Sequence, residues 1–432
     1  MMEREYKDSG IPWMKHIPTD WNVVRGKDFL FLRNRPVRED DDVVTCFRDG
    51  EVVLRCERRT EGFTMSDKEI GYQGINKGDI VIHGMDGFAG AMGVSKSTGK
   101  GSPVLIVCNP KSDDDARYII YYLRSLAMNN VFVALATGIR ERSCDLRWNK
   151  ISVLPFVRPS SIEQTRIADY IDEKCVEIDS LIALQEQMIE KLKAYKQSVI
   201  TEAVTKGLNP NAKLVPSGID WIGDIPEEWK VLKTLFTLKM PITDGPHTTP
   251  KLFDNGIPFV SAEAVSCGNG SIDFDHIRGF ISQEFYEECC LKYIPEIDDV
   301  YMIKSGATTG KVSIVDTDKV FTIWSPLAVF RSNRNIIIPR FMFYTLQGDY
   351  YQKQISLYWT FGTQQNIGMR TLEQLVIVLP PISEQHSIAS YLDEKCSDID
   401  RLIALKQQKI ESLKDYKKSV IYEAVTGKTN IE

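Results

Sequence analysis

The sequence predicts an α+β protein: two mixed α/β domains separated by two long antiparallel coiled-coil helices, related by a pseudo-two-fold internal repeat. Three observations carry this reading. Two pairs of boxes recur along the chain, two long segments lack both glycine and proline, and the stretches between them alternate short apolar runs with turn residues.

The first box reads Ser9-Gly10-Ile11-Pro12-Trp13 and continues to Ile17-Pro18-Thr19-Asp20-Trp21. It returns as Ser217-Gly218-Ile219-Asp220-Trp221, continuing to Ile225-Pro226-Glu227-Glu228-Trp229. The second box holds Glu163-Gln164, Ile167-Ala168 and Asp172-Glu173-Lys174-Cys175. It returns as Glu384-Gln385, Ile388-Ala389 and Asp393-Glu394-Lys395-Cys396. Residues 163–205 and 384–426 are identical at 29 of 43 aligned positions, so a whole unit is duplicated. The residues between the boxes are not obviously alike, which suggests one frame enclosing two different inserts.

Within 163–205, apolar or small residues at Ile171, Cys175, Ile178, Ile182, Ile189, Leu192, Val199 and Ala203 fall mostly at three-, four- and seven-residue spacing. Ser160 and Ser161 cap the start of this helix, and Gly207 with Pro210 stops it. Such a helix would run about 65 Å at 1.5 Å per residue, with a stripe too narrow for a simple core helix. Two matching stripes in one chain predict a coiled coil. Gln185, Lys196, Lys406 and Lys417 interrupt the stripes. The expected boundaries are 1–160 and 217–380 for the domains, 161–207 and 381–428 for the helices, and 208–216 for the linker.

In the inserts, Ile80-Val81-Ile82, Val104 to Val107, Ile314-Val315 and Leu375 to Val378 read as strands. Asp254-Asn255-Gly256 and Gly268-Asn269-Gly270 read as turns. Tyr118 to Met128 and Arg340 to Gly348 read as helices.

The chain has 432 residues and a formal net charge of −6. Its ordinary apolar fraction excludes a mainly disordered or collagen-like chain. No run approaches the ~18 consecutive apolar residues of a membrane span, and the start lacks the apolar core of a signal peptide. Nine cysteines without any C-x-x-C pair point to reduced thiols and a cytoplasmic location. The acidity does not argue against nucleic acid, because residues 20–155 carry 20 basic against 19 acidic side chains, and residues 229–380 carry 14 against 15. Basic residues cluster at Arg48 to Arg59, Arg140 to Lys150 and Arg331 to Arg370, where Tyr358 to Asn366 interleaves aromatic and amide side chains.

Gly306-Ala307-Thr308-Thr309-Gly310-Lys311-Val312 has too few residues between its glycines for a phosphate-binding loop, and Val312 stands where a magnesium-holding hydroxyl is needed. The five histidines lack metal-ligand spacing. No nucleophile elbow or H-E-x-x-H motif occurs. These failures favour a binding role over catalysis.

Nearly the whole chain resembles the specificity subunits of type I restriction–modification systems. The resemblance rests on the two Ile-Pro-x-x-Trp boxes and on Leu379-Pro380-Pro381-Ile382-Ser383-Glu384-Gln385 with Ile388-Ala389-Ser390-Tyr391-Leu392-Asp393. It also rests on Thr243 to Pro250, Gly256 to Ser261, Ser305 to Val312 and Gly362 to Ile367. The first insert departs from the pattern, with Gly138-Ile139-Arg140 in place of the Thr-Gln-x-Asn segment and Pro159-Ser160-Ser161-Ile162 in place of the Pro-Pro-Ile-Ser box.

The resemblance implies a non-catalytic subunit with two target-recognition domains, each reading one half of a bipartite, asymmetric site on double-stranded DNA. The helices would set the spacing and dock two modification (methyltransferase) subunits. Restriction subunits would add ATPase and nuclease activity. S-adenosylmethionine, ATP and magnesium would belong to those partners, with no cofactor in this chain and no membrane involved. The rival readings are a coiled-coil adaptor with two protein-binding heads, and the specificity subunit of a system that combines restriction and methylation in one partner.

Arg and Lys pair with phosphates or guanine edges, while Asn and Gln read adenine. On that chemistry the candidate DNA contacts are Arg55, Arg58, Lys96, Arg140 and Arg142 in the first domain. In the second they are His247, Thr248, Lys251, Thr309, Lys311, Thr363, Gln364 and Asn366.

Overall fold

The computed structural model describes residues 4–58, 70–135, 146–361 and 365–431. The chain divides into two compact units, residues 1–186 with 407–432, and residues 187–406.

In the first unit, β1 (Asn22–Arg25) is followed by β2 (Leu30–Leu32), β3 (Ile80–His83), β4 (Met92–Val94) and β5 (Leu105–Pro110). Then come α1 (Ala116–Met128), β6 (Pro155–Arg158) and the start of α2 (Ser161–Lys206). Strands β2, β5, β3 and β4 lie side by side in that order, all antiparallel, while β6 pairs with β1. Both faces of the sheet are buried. Ile80, Ile82, Ile106 and Cys108 enter one core with α1, and Val81, Leu105 and Val107 enter another. Burial on both faces is why these strands read as unbroken apolar runs rather than as an alternation.

In the second unit, β7 (Lys230–Lys233), β8 (Thr243–Asp244), α3 (Gln283–Cys290), β9 (Val300–Ile303), β10 (Val312–Ile314) and β11 (Leu327–Phe330) follow in turn. They lead to α4 (Pro339–Gln347), β12 (Val376–Leu379) and α5 (Ile382–Val425). The sheet order is β8, β11, β9, β10, again antiparallel, and β12 pairs with β7. Val300, Met302, Ala328 and Phe330 face one core, and Tyr301, Ile303, Leu327 and Val329 the other.

The two inserts, unlike in sequence, share one sheet order, in keeping with the predicted internal repeat. The segments joining the strands differ, and each four-stranded sheet is followed by a helix and a closing strand. The repeat extends through the inserts and not only through their frame. The rejected phosphate loop is the connection of a β9–β10 hairpin, with no helix after it.

The boxes are the clamps of each unit. Trp21 Nε1 donates to Glu163 Oε2 at 2.8 Å, and Trp229 Nε1 donates to Glu384 Oε2 at 2.9 Å. The neighbouring glutamines are fully buried. Gln164 donates to Pro159 O and accepts from the Asp115 N–H, while Gln385 donates to Pro380 O and accepts from the Ile338 N–H. Asp115 and Ile338 are the N-caps of α1 and α4, so each Glu-Gln pair ties a tryptophan to the start of a helix. About two turns further along each long helix, Arg117 and Tyr121 bond Asp172, and Arg340 and Tyr344 bond Asp393.

The α2 helix has 46 residues and α5 has 44. Each gives one part to one unit and the rest to the other. In the first unit Ile167, Ile171 and Ile178 share cores with Val425, Ile421 and Leu413. In the second, Val199 and Ala203 share a core with Leu392 and Ile388. The paired segments run antiparallel, as expected.

The lysines that interrupt the stripes have partners. Lys417 Nζ lies 2.7 Å from Asp179 Oδ2, and Lys196 Nζ lies 2.6 Å from Asp400 Oδ2. These two pairs are copies of one another. The stripe also widens at the helix ends, where Ile200, Val204, Ile421 and Val425 are buried against the globular part of their unit.

Each long helix ends on a residue that must be glycine. Gly207 (φ +74°) and Gly427 (φ +70°) adopt the left-handed conformation. A Cβ there would press on Trp229 and Glu384 in one unit, and on Pro18 and Trp21 in the other.

Candidate nucleic-acid interface

In the second unit three segments meet at one end of the sheet. They are the loop after β8, the β9–β10 connection and residues 365–367. The Gly306 N–H donates to Gln365 O at 3.0 Å, and the Ile367 N–H donates to Lys304 O at 2.9 Å. Lys304 Nζ reaches back to Asp244 Oδ2 at 3.3 Å.

Asp244 holds the cluster together. Its side chain is 1% exposed and faces Lys292, Lys304 and His247, the last with Nε2 at 3.2 Å. Burial pushes its pKa up, but the Lys292 hydrogen bond and the charges of Lys304 and Lys292 outweigh that and hold it below the usual value. One carboxylate thus orders basic side chains from three separate segments. Gly245 lets the loop lie flat on the strand beneath, since a Cβ would sit 2.0 Å from Ile323 O. Trp324 follows Ile323, and its ring carries the Arg278 guanidinium at 3.8 Å.

His247, Thr248 and Lys251 are exposed on this loop. Thr248 lines a cavity of about 180 Å³ with Asp244, Phe285, Lys292 and Tyr293. Lys251 Nζ lies 5.2 Å from the Phe253 ring centroid. Asn366 is exposed on the adjoining segment. Thr309 and Lys311 point elsewhere. The Thr309 hydroxyl donates to Gly306 O at 2.7 Å, and Lys311 Nζ lies 3.4 Å from Ser266 O. Both line a groove of about 570 Å³ together with Lys196, Arg340 and Asp400. Thr363 and Gln364 lie outside the described residues.

In the first unit Arg58 and Lys96 converge on one acid. Arg58 bonds Asp49, with Nη1 at 2.9 Å from Oδ1, and reaches Glu51 at 3.2 Å, while Lys96 bonds the other Glu51 oxygen at 2.9 Å. The Arg58 guanidinium also lies 4.3 Å from the Phe47 ring centroid. The Arg58 hydrogen bond holds the Asp49 carboxyl below its ordinary range, although burial opposes it. Arg55 Nε bonds Thr45 Oγ1 at 3.3 Å. Arg140 and Arg142 lie outside the described residues.

Reasoning from the sequence did not single out Asp244, Lys292, Lys304, Arg278 or Trp324. Asp244 stands inside the Thr243–Pro250 motif, which was the available signal. The others join the cluster only through folding. Among the described residues no group of His, Cys, Asp and Glu is placed to hold a metal ion, and no helix is long and apolar enough to cross a membrane.

A duplicated frame thus carries two sheets of one strand order, each with its own set of basic and polar side chains. Residues 226–415 match the family described as type I restriction modification DNA specificity domain. Over 447 residues, spanning 99% of this chain and 97% of the relative, the sequence is 24% identical to the type I restriction enzyme MjaVIII specificity subunit of Methanocaldococcus jannaschii. A putative MjaX specificity subunit of the same organism is 26% identical over 96% of this chain and 95% of its own.

Among solved structures, a chain from a study of assembly and conformational transition in the type I R-M system matches with a TM-score of 0.71. It is 16% identical, covering 96% of this chain and 99% of that one. The HsdS subunit from Thermoanaerobacter tengcongensis matches with a TM-score of 0.52, also at 16% identity, over 96% of this chain and 98% of its own. These two share the fold. Over nearly its whole length the chain is similar to the specificity subunits of type I restriction–modification systems.

Proposed function

We propose that each unit reads one half of a bipartite, asymmetric target on double-stranded DNA, and that methylation and cleavage are carried out by partner subunits. The observation that supports this most is the repeated sheet carrying unlike basic and polar side chains in its two copies. The first unit offers Arg55, Arg58 and Lys96, and the second offers His247, Thr248, Lys251 and Asn366. Two equivalent scaffolds with different reading edges suit a target whose halves differ. In this reading residues 1–160 and 217–380 are the recognition domains, and 161–207 and 381–428 are spacer helices that dock two modification subunits. The protein acts in the cytoplasm, where the DNA is.

Mapping methylated sites in the host genome, with and without this gene, tests the proposal. One bipartite motif should disappear with the gene. Exchanging residues 20–155 for those of a relative should change one half of that motif only. A reconstituted complex that methylates duplexes with no preferred bipartite site would refute the reading.

The ion pairs of the first unit give a further test. Glu51→Gln removes the acid shared by Arg58 and Lys96. Affinity for any duplex should rise, and the slope of log K against log salt should steepen by about 0.9, the equivalent of one more phosphate neutralised. An unchanged slope in a salt titration would place this cluster away from the DNA backbone.

A further inference from the structure

We infer that Arg278 reads a guanine edge in the half-site recognised by the second unit, and that Trp324 is its positioning residue. The inference rests on the DNA-reading function proposed above. Arg278 is exposed and forms no ion pair among the described residues, whereas Arg331, Arg334 and Arg340 of the same unit are engaged by Asp299, Asp298 and Asp393. Its guanidinium instead lies 3.8 Å from the centroid of the Trp324 ring, a stacking distance. An acid would cancel the charge, but an indole face keeps it and fixes the plane of the fork.

The platform under Arg278 is rigid. The Trp324 N–H donates to Val260 O at 2.9 Å, and its ring packs 6.3 Å from that of Phe259, itself fully buried. The indole Nε1 is buried with no hydrogen-bond partner among the described residues, so packing holds the ring in place. The Arg278 backbone is anchored too, its N–H donating to Phe259 O at 3.3 Å.

Gly245 rests on the Ile323–Trp324 backbone, which makes this platform continuous with the loop bearing His247 and Thr248. Lys251 repeats the arrangement on Phe253, whose backbone pairs with Phe280 two residues beyond Arg278. A planar fork held in one orientation, with its donors unspent among the described residues, matches the two adjacent acceptors, O6 and N7, of guanine in the major groove.

The test uses the full chain reconstituted with its modification subunits, on a duplex library randomised in both halves of the methylated motif. Arg278→Lys keeps the charge but loses the planar fork. It should lower the preference for one G·C pair by about 5- to 150-fold in one half-site and leave the other half-site unchanged. Trp324→Leu should relax the same base pair to a smaller extent. Both variants should keep the wild-type preference in the half-site read by the first unit, which shows that the complex has assembled. Equal weakening on all sequences, with no preference lost at any one base pair, would mark a phosphate contact and overturn the inference. Unchanged selectivity in both variants would also overturn it. A wild-type complex without any bipartite preference would instead overturn the broader DNA-reading proposal.

Discussion

Asp299→Ala should destabilise the second unit by about 3–5 kcal/mol, the range for breaking a buried ion pair from one side. Asp299 is 1% exposed at the head of β9. Its two oxygens accept Arg331 Nε and Nη2, each at 2.7 Å, and Oδ2 also accepts the Glu296 N–H at 2.8 Å and the Tyr293 hydroxyl. Burial pushes the Tyr293 phenol far up, so it remains a donor, and it also lies 2.8 Å from the Tyr301 hydroxyl. Removing the carboxylate leaves a guanidinium that is only 14% exposed with Glu296 and the Ile294 carbonyl as its remaining partners, and a Glu296 N–H short of an acceptor. Urea unfolding of the variant measures the loss. The double replacement Asp299→Leu with Arg331→Met should recover much of it, because no charge is then stranded. A loss below about 1 kcal/mol in the single variant would mean that water replaces the carboxylate at little cost.

Trp21→Ala should cost a similar amount, about 3–5 kcal/mol, in the first unit. Trp21 has no exposed surface and bonds Glu163, while Arg4 reaches the same glutamate and lies 5.3 Å from the indole ring centroid. The substitution opens a large cavity and removes the donor that fixes the first turn of α2. Trp21→Phe should retain much of the packing and lose the hydrogen bond, which separates the two contributions. Neither variant should change the sequence that the complex selects. Thermal unfolding and methylation profiling of the same preparations test both halves of that expectation. A shifted recognition motif would show that this clamp also shapes the reading edge.

The frame was legible because its residues are repeated in sequence and its helices follow a local period. Glu163-Gln164 and Glu384-Gln385 stand out by identity, and the helical stripes by spacing. The common topology of the inserts was hidden because a strand buried on both faces requires apolar bulk and β-branching, not particular residues. Thus Ile80-Val81-Ile82 and Val300-Tyr301-Met302 do equivalent work with little identity. The proposed site was legible only in part. His247, Thr248 and Asn366 lie in segments whose composition marks them. Asp244 gains its role from lysines 48 and 60 positions away in the chain, and Arg278 from a tryptophan 46 positions on. In sequence Arg278 follows Asp273, Asp275 and His276 and looks like one more solvated charge. Thr309 and Lys311 carry suitable chemistry, but their side chains are directed to backbone carbonyls facing a different groove.

The two lysine–aspartate pairs of the long helices have one more consequence. Lys196 and Asp179 belong to α2, and Lys417 and Asp400 to α5. Each helix therefore brings one charge of either sign, at the same spacing as the other. The pairs specify antiparallel direction and register, but they do not tell one helix from its copy, since two α2 strands would satisfy the same charges. The choice of mate is left to tethering. Joined in one polypeptide, α5 is always at high local concentration around α2, and connectivity supplies the discrimination that the side chains lack.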